Sequence, residues 1–523
     1  MELTMSLEIV RRVRDNVHGT IDITQLEDKV IEHPVFQRLR RVKQLAFLHL
    51  VFPCASHSRF EHALGVIKLA DKAWGRLHVN QRRLADKLKN CQDFAEFEQK
   101  GMNGLVHGLL SQTFPVMDHL FSSDYTLQAF RLAALLHDIG HPPFSHSGER
   151  FLPSWASIIE QAGKAPKYLY NYFIKQAENL SAMGKDPKKE KVSHEVFTLL
   201  LIEKVLSDVY QSHPNLSVKI EPQDVVSIIE PEISPLNSSP LQAYGIYKLC
   251  HEMVSGEFDI DRMDYLLRDS HECGVVYGVF DAGRILDALV FYYNPSDKGF
   301  HLAINSSGLP AFEDYLRARH SMYLQVYFHK TSVAAEAMMQ HIAGLLGGWT
   351  FPPAIADYAR LDEHNVYFIL LEAAKDQLKV RKDYEHFKDT LDHLLLHRRL
   401  WKRVFEVVGS SINTKKKMDH DDLMDQARDI VRDFGLRCEK ISSANSLSHF
   451  FPRQQDELSR NYLRLLKTNF MKLPFIMPIE DHLSIASSNE QVYVRRLYAE
   501  EPEEGKEPSL AFVSQELHKR FSR

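Results

Sequence analysis

Residues 135–146 read LLHDIGHPPFSH, and four of them, His137, Asp138, His141 and His146, carry side chains that ligate metals, move protons or face anions. They follow the apolar run LAALL. An aspartate buried there costs on the order of several kcal/mol of desolvation unless a cation or a metal pairs with it. Two arrangements meet that demand. One is a divalent ion held by imidazole and carboxylate; the other is an ion pair of Asp138 with an arginine such as Arg59, with His137 a hydrogen-bonded core residue. These twelve residues leave both open. The dipeptide His420-Asp421 is an internal control, because it sits among lysines and acids and needs no such explanation.

Two other stretches supply similar chemistry. SRFEHALG (58–65) sets Glu61-His62 in an apolar-faced helix, and GEFDIDRMDYLLRDSHECG (256–274) offers Asp259, Asp261, Asp264 and Asp269 at a helix start and its first turns. Two imidazoles with two carboxylates suit Mn, Fe, Zn or a similar ion and leave coordination positions for water or phosphate. Further aspartates near Asp261 can orient ligands or bind sugar hydroxyls. Asp259 reads equally well as a helix N-cap, and His141 as a cap on its own helix end.

The elements that must position these groups are mostly helical. Apolar spacing predicts helices over 58–77, 122–143 and 193–210, and helical structure again over 311–346. Ser122, Ser123 and Asp124 can cap the second, which Gly140 and Pro142-Pro143 stop. ALVFYY (288–293) and FHLAIN (300–305) predict one hairpin. The charge-dense stretches 184–192, 413–422 and 499–508 read as solvated connectors. At 523 residues more than one packed unit is expected. The division predicted is a catalytic core over 1–346 with insertions near 78–121 and 150–192. A helical extension over 347–410 continues the core, and an α-rich, mixed and partly flexible C-terminal region spans 411–523.

His62, His137-Asp138 and Asp261 together match the H…HD…D signature of HD-domain metal phosphohydrolases. PVFQRLRRVKQLAFLHLVFPCASHSRFEHALGV (34–66), LLHDIGHPPFSHSGE (135–149), FDIDRMDYLLRDSHECGV (258–275) and RARHSMYLQVYFHK (317–330) narrow the match. In that order they resemble the deoxynucleoside triphosphate triphosphohydrolases, both the vertebrate SAM-and-HD-domain enzymes and their bacterial relatives. The resemblance spans about residues 15–405.

It implies a mainly α-helical HD-domain phosphohydrolase fold with a small β-hairpin. One divalent metal (Mn, Fe, Zn, Ni or Mg) would be held by His62, His137, Asp138 and Asp261, with additional Mg bound to the triphosphate. His194 would be the catalytic histidine, oriented by Glu149. His141 and His146 would face the α-phosphate, and His146 would protonate the departing ribose oxygen. Arg59, Arg262 and Arg319 would neutralise the triphosphate, whose pocket Tyr265 also lines. Gln44 and Asp269 would bond the sugar 3′-hydroxyl, and Leu45 and Tyr327 would exclude a 2′-hydroxyl. The products would be a deoxynucleoside and inorganic triphosphate. Glu32, Gln37, Arg40, Arg398 and Lys402 fall where the family binds a nucleotide activator, and a homo-oligomer, tetramer or hexamer, is implied. Arg262 and Glu32 replace the family's lysine and aspartate at their positions.

Composition sets limits on the alternatives. With 44% hydrophobic and 25% charged residues and a formal charge of −5, the chain has no global basic field, which disfavours a nucleic-acid coat. Five scattered cysteines form no C-x-x-C pair. The N-terminus lacks the apolar run of a signal peptide, and no window approaches the about 18 apolar residues of a membrane span. A cytoplasmic setting is the expectation. Two other readings remain: an HD phosphohydrolase acting on monophosphates, cyclic nucleotides or alarmones, and a non-catalytic nucleotide or single-stranded nucleic-acid sensor.

Overall fold

IVRRVRD and GTIDIT alternate along their length and pair as an antiparallel hairpin of β1 (Ile9–Asp15) and β2 (Gly19–Thr24). The computed structural model describes residues 7–89, 112–410 apart from 162, 164 and 257, 414–446, 463–468, 474–479, 482–483, 491–502 and 508–521. Thr24 closes a capping box with Glu27 and starts α1 (Gln25–Glu32). Ser58 and Glu61 play corresponding parts ahead of α2 (Arg59–Lys89), where the Ser58 N–H donates to Glu61 Oε2 at 2.9 Å. Ser123 caps α3 (Asp124–Leu136) through the Thr126 N–H.

Helices α4 (Lys167–Ala182), α5 (His194–Ser212), α6 (Pro222–Ile229), α7 (Ile246–Ser255) and α8 (Ile260–Glu272) follow. The core forms where α3 crosses α2, and Leu132 to Leu136 of α3 are wholly excluded from solvent. One charge lies inside it. Arg131 bonds both oxygens of Glu27 on α1, at 2.7 and 2.8 Å, and pairs with Asp71 on α2. Three elements thereby share one satisfied cation.

The predicted hairpin is present as β3 (Leu289–Asn294) and β4 (Gly299–Asn305). Beyond it, the helical structure expected over 311–346 forms α9 (Leu309–Met322) and α10 (Lys330–Leu345), which meet where the backbone widens into a π turn at Tyr323–Tyr327. Such turns recur at functional sites, and both of these tyrosines face the cavity described below. Helices α11 (Val366–Gln377) and α12 (Arg381–Leu395) complete the extension.

The C-terminal part departs further from the sequence reading. It opens with β5 (Lys402–Ser410), and α13 (Thr414–Asp433) occupies most of the stretch read as a connector at 413–422. Strands β6 (Cys438–Ser446), β7 (Arg464–Thr468), β8 (Pro474–Pro478) and β9 (Gln491–Ala499) precede α14 (Leu510–Phe521). Strand order β5-β9-β6 makes one antiparallel sheet, and β7 runs parallel to β4, extending the hairpin to β3-β4-β7-β8. Parts of the expected 78–121 insertion and of the 411–523 region, residues 90–111 and 447–462 among them, lie outside the described residues. Among those described, no helix is long and apolar enough to cross a membrane.

Gly65 lets α8 approach α2, for a Cβ there would collide with the Asp264 carboxylate and the Arg268 guanidinium. Gly65→Ala is expected to cost about 1–3 kcal/mol by overpacking, read as a lower thermal midpoint.

Candidate active site

The turn after α3 presents four chemically active side chains and leaves its own carbonyls buried. Those carbonyls are satisfied by groups remote in sequence. Arg38, fully buried, donates to the carbonyls of Ile139 at 2.6 Å and His141 at 2.9 Å. Tyr358 Oη donates to Gly140 O at 2.7 Å, and Thr198 Oγ1 to His137 O at 3.1 Å. Gly140 is required, since a Cβ there would strike the His194 carbonyl and Thr198 on α5. Just beyond, Phe144 and Ser145 adopt positive φ of 64° and 50°, a strained path for side chains of that size. Ser145 is pinned by donating to Lys43 O at 2.7 Å and accepting from Arg59 Nε at 2.9 Å.

Four candidate donors come from α2, the α3 turn and α8: atoms of His62, His137 and Asp138 lie within 4.8 Å of one another, and Asp261 approaches the two imidazoles. His62 Nε2 lies 3.3 Å from His137 Nε2, 3.0 Å from Asp261 Oδ1 and 3.5 Å from Asp138 Oδ2. His137 Nε2 lies 3.5 Å from Asp138 Oδ2 and 3.6 Å from Asp261 Oδ1. An ion about 2.1 Å from each ligand separates neighbours by about 3.0–3.4 Å, close to the spacing of the His62, His137 and Asp138 atoms. The imidazoles are aimed from behind: His62 Nδ1–H donates to Asp264 Oδ2 at 2.8 Å, and His137 Nδ1–H to Ala134 O at 2.9 Å. That pattern turns each Nε2 toward the cluster. Arg59 also pairs with Asp138 Oδ2, the second of the two arrangements left open by the sequence.

The electrostatics favour a cation. Burial opposes charge on His62, but Asp261 and Asp264 outweigh it and raise its pKa to about 10. Against the same penalty, Asp138 and Asp261 raise that of His137. Burial would raise the Asp138 pKa, yet Arg59, His137 and His141 hold it well below the usual carboxylate range. His141 moves the other way, pushed down by burial, Arg59 and His194, which keeps it neutral. Protons thus supply the positive charge that a metal would replace.

A cavity of about 320 Å³ opens beside the cluster, lined by Asp138 and Asp261 and by His141, His146 and His194. The His141 and His194 rings stack at 3.5 Å. His194 Nδ1–H donates to Glu149 Oε1 at 2.6 Å, and His146 approaches the same oxygen at 3.2 Å from an exposed position. Burial works against the Glu149 charge, but these histidines bring its pKa to about 2. Gln44, Leu45, Arg59, Tyr265, Asp269 and Tyr327 line the same cavity, and Gln44 Oε1 is buried with no hydrogen-bond partner among the described residues. Tyr327 Oη donates to Asp269 Oδ2 at 2.7 Å, and His57 Nε2–H to Oδ1 at 2.8 Å.

Other expected residues are placed elsewhere. Arg262 turns to Asp259 and the Gly256 carbonyl, and Arg319 lies over the Tyr323 ring at 5.1 Å; neither is in this cavity's lining. Glu32 pairs with Lys29 at 2.9 Å, Arg40 donates to Gln37 at 2.9 Å, and Gln37 to Ile31 O at 2.7 Å. Arg398 donates twice to Leu50 O and, with Lys402, lines a second cavity of about 360 Å³. Among the described residues no hydrogen bond or ion pair joins Glu32, Gln37 or Arg40 to Arg398 or Lys402. Arg38, His57 and His18 were missed by the sequence reading. Only Arg38 left a trace there, a charge set between the apolar residues of VFQRLR.

An HD domain family profile matches residues 124–269, and an HD associated region matches 280–442. Residues 124–269 of the chain thus carry an HD domain. The chain is 29% identical over 328 residues to an uncharacterized protein of Methanocaldococcus jannaschii, covering 63% of this chain and 48% of that one. It is 25% identical to the deoxynucleoside triphosphate triphosphohydrolase SAMHD1 of Gallus gallus, covering 81% of this chain and 60% of that one. The crystal structure of a phosphohydrolase from Bacteroides thetaiotaomicron shares the fold, with a TM-score of 0.56 over 94% of this chain and 99% of that chain at 22% identity.

Metal analysis of the purified protein is expected to find one divalent ion per chain, lost in Asp138→Ala. Because the ion displaces the His62 proton, metal affinity should rise about tenfold per pH unit from pH 7 toward 10 in chelator competition. The stability effect has the opposite sign. The folded pKa of His62, about 10, exceeds its ordinary 6.5, so its contribution in metal-free protein is complete below 6.5 and lost as pH rises through 10. The thermal midpoint of chelator-treated protein should fall across that window, and that of loaded protein should fall less.

Proposed function

We propose that the chain is a metal-dependent deoxynucleoside triphosphate triphosphohydrolase. The carrying observation is that one cavity joins the four-donor cluster, a Glu149-oriented histidine and a sugar-sized polar corner made by Gln44, Asp269 and Tyr327. The bound metal would polarise a phosphoryl oxygen and lower the pKa of water. Arg59 stands beside Asp138, where it can neutralise an α-phosphate oxygen. Glu149 holds His194 Nδ1–H, which leaves Nε2 to take or give a proton at the phosphate. Water adds at the α-phosphorus, the bond to the ribose O5′ breaks, and His146 at the cavity mouth protonates that oxygen. Deoxynucleoside and intact triphosphate leave.

Asp269 is held as an acceptor by His57 and Tyr327, and the unpartnered Gln44 oxygen offers a second acceptor for a 3′-hydroxyl. Leu45 supplies the bulk against a 2′-hydroxyl. Magnesium carried by the triphosphate, a nucleotide activator at the basic Arg398/Lys402 cavity and assembly as a tetramer or hexamer belong to the same reading. The activator is supported by Lys330, Arg403, Trp401 and Tyr498, which line that second cavity and give it cationic and aromatic contacts.

The test incubates purified protein and Mn or Mg with each deoxynucleotide, singly and mixed, and separates products by chromatography. Triphosphate and deoxynucleoside are expected; release of diphosphate and a monophosphate would overturn the assigned bond cleavage. His194→Ala should lower kcat by about 10²–10⁴-fold. Leu45→Ala should improve the kcat/KM of ribonucleotides relative to deoxynucleotides by about tenfold or more.

A further inference from the structure

The β1–β2 turn lies ahead of the HD match at 124–269, and no step of the reaction above employs it. Its side chains nevertheless reach the back of the metal cluster. The link is Asp264, which is fully buried and faces away from the cavity. Its Oδ1 accepts from His18 Nε2–H at 2.6 Å and from Arg268 Nη2 at 3.0 Å. Its Oδ2 accepts from His62 Nδ1–H at 2.8 Å and from Arg268 Nε at 2.9 Å. An ionised carboxylate has about four acceptor sites, and here each is filled.

His18 is itself held in place. Its backbone N–H donates to Asp15 Oδ1 at 2.7 Å, and Asp15 Oδ2 accepts from Arg268 Nη1 at 2.8 Å. Asn16 Nδ2 donates to Glu272 Oε1 at 2.5 Å. Asp15, Asn16 and His18 therefore grip Asp264, Arg268 and Glu272, one face of α8 at intervals of four residues. The adjacent stripe, Asp261, Tyr265 and Asp269, lines the cavity.

We infer that His18 is a positioning residue for the metal site. The relay His18–Asp264–His62 fixes the imidazole plane and its Nδ1 proton, so that Nε2 meets the ion. The inference rests on the four-donor metal reading and adds the N-terminal turn to it. A buried carboxylate deprived of one donor can rotate toward its remaining partners, and His62 moves with it.

Cobalt(II) alone is a suitable probe, since its visible ligand-field bands report the geometry of bound imidazole. Full-length wild type, His18→Leu, His18→Gln and His18→Asn are titrated with cobalt against a competing chelator. His18→Leu keeps the bulk without a donor, and His18→Asn keeps polarity but stops short of Asp264. Both are expected to bind about 10–100-fold more weakly, with shifted bands. His18→Gln, which returns a donor at similar reach, should recover affinity to within about threefold of wild type. If His18→Leu fails to fold, His18→Asn carries the comparison. Wild-type affinity and spectrum in either variant, or a His18→Gln as weak as the others, would overturn the inference and leave the metal reading standing. A wild type that binds no cobalt would overturn both.

Discussion

A concentration of buried carboxylates that must be matched by positive charge organises this molecule. Asp261, Asp264 and Asp269 lie along α8 and Asp138 on the turn after α3, and each is met by a cation, an imidazole or a hydroxyl delivered from another element. Helix α8 is the hub. Its two neighbouring stripes send Asp261, Tyr265 and Asp269 to the cavity and Asp264, Arg268 and Glu272 to the N-terminal turn. Since desolvation of each carboxylate is costly, the contacts that offset it must be specific in direction. That requirement fixes where α2, α3 and the β1–β2 turn can lie.

The turn after α3 obeys a similar constraint, with backbone in place of side chains. A helix that ends inside a core leaves carbonyls without intrahelical partners. Arg38, Thr198 and Tyr358 satisfy them from three separate parts of the chain. The strain at Phe144 and Ser145 is tolerated because both residues are anchored. Phe144 stacks on Phe47 at 5.2 Å, and Ser145 is bonded on both sides. The result places His146 at the mouth and His141 at the floor of one cavity.

The helical frame was readable because it rests on local pattern. Periodicity marked α2, α3 and α5, a capping serine marked the start of α3, and two β-rich runs flanking a turn marked β3 and β4. The C-terminal strands were not readable. Strands β5 and β6 find their partner β9 some fifty to ninety residues later, and β7 reaches back to β4 across the whole extension. The break between α9 and α10 was hidden as well: apolar residues continue through the π turn, and only the backbone widens.

By itself the sequence determined which side chains could bind a metal and a polyanion, because residue type and spacing carry that chemistry. It also determined that those residues sit at helix ends and faces. Only the tertiary structure decided which candidates meet. Arg59 reaches Asp138 while Arg262 turns to Asp259, though both are arginines beside ligand residues. His18 and His57, ordinary histidines in the chain, become the backing of Asp264 and Asp269. A hydrogen bond depends on the distance and angle of two groups, and for residues more than two hundred positions apart those are set by packing rather than by any local motif.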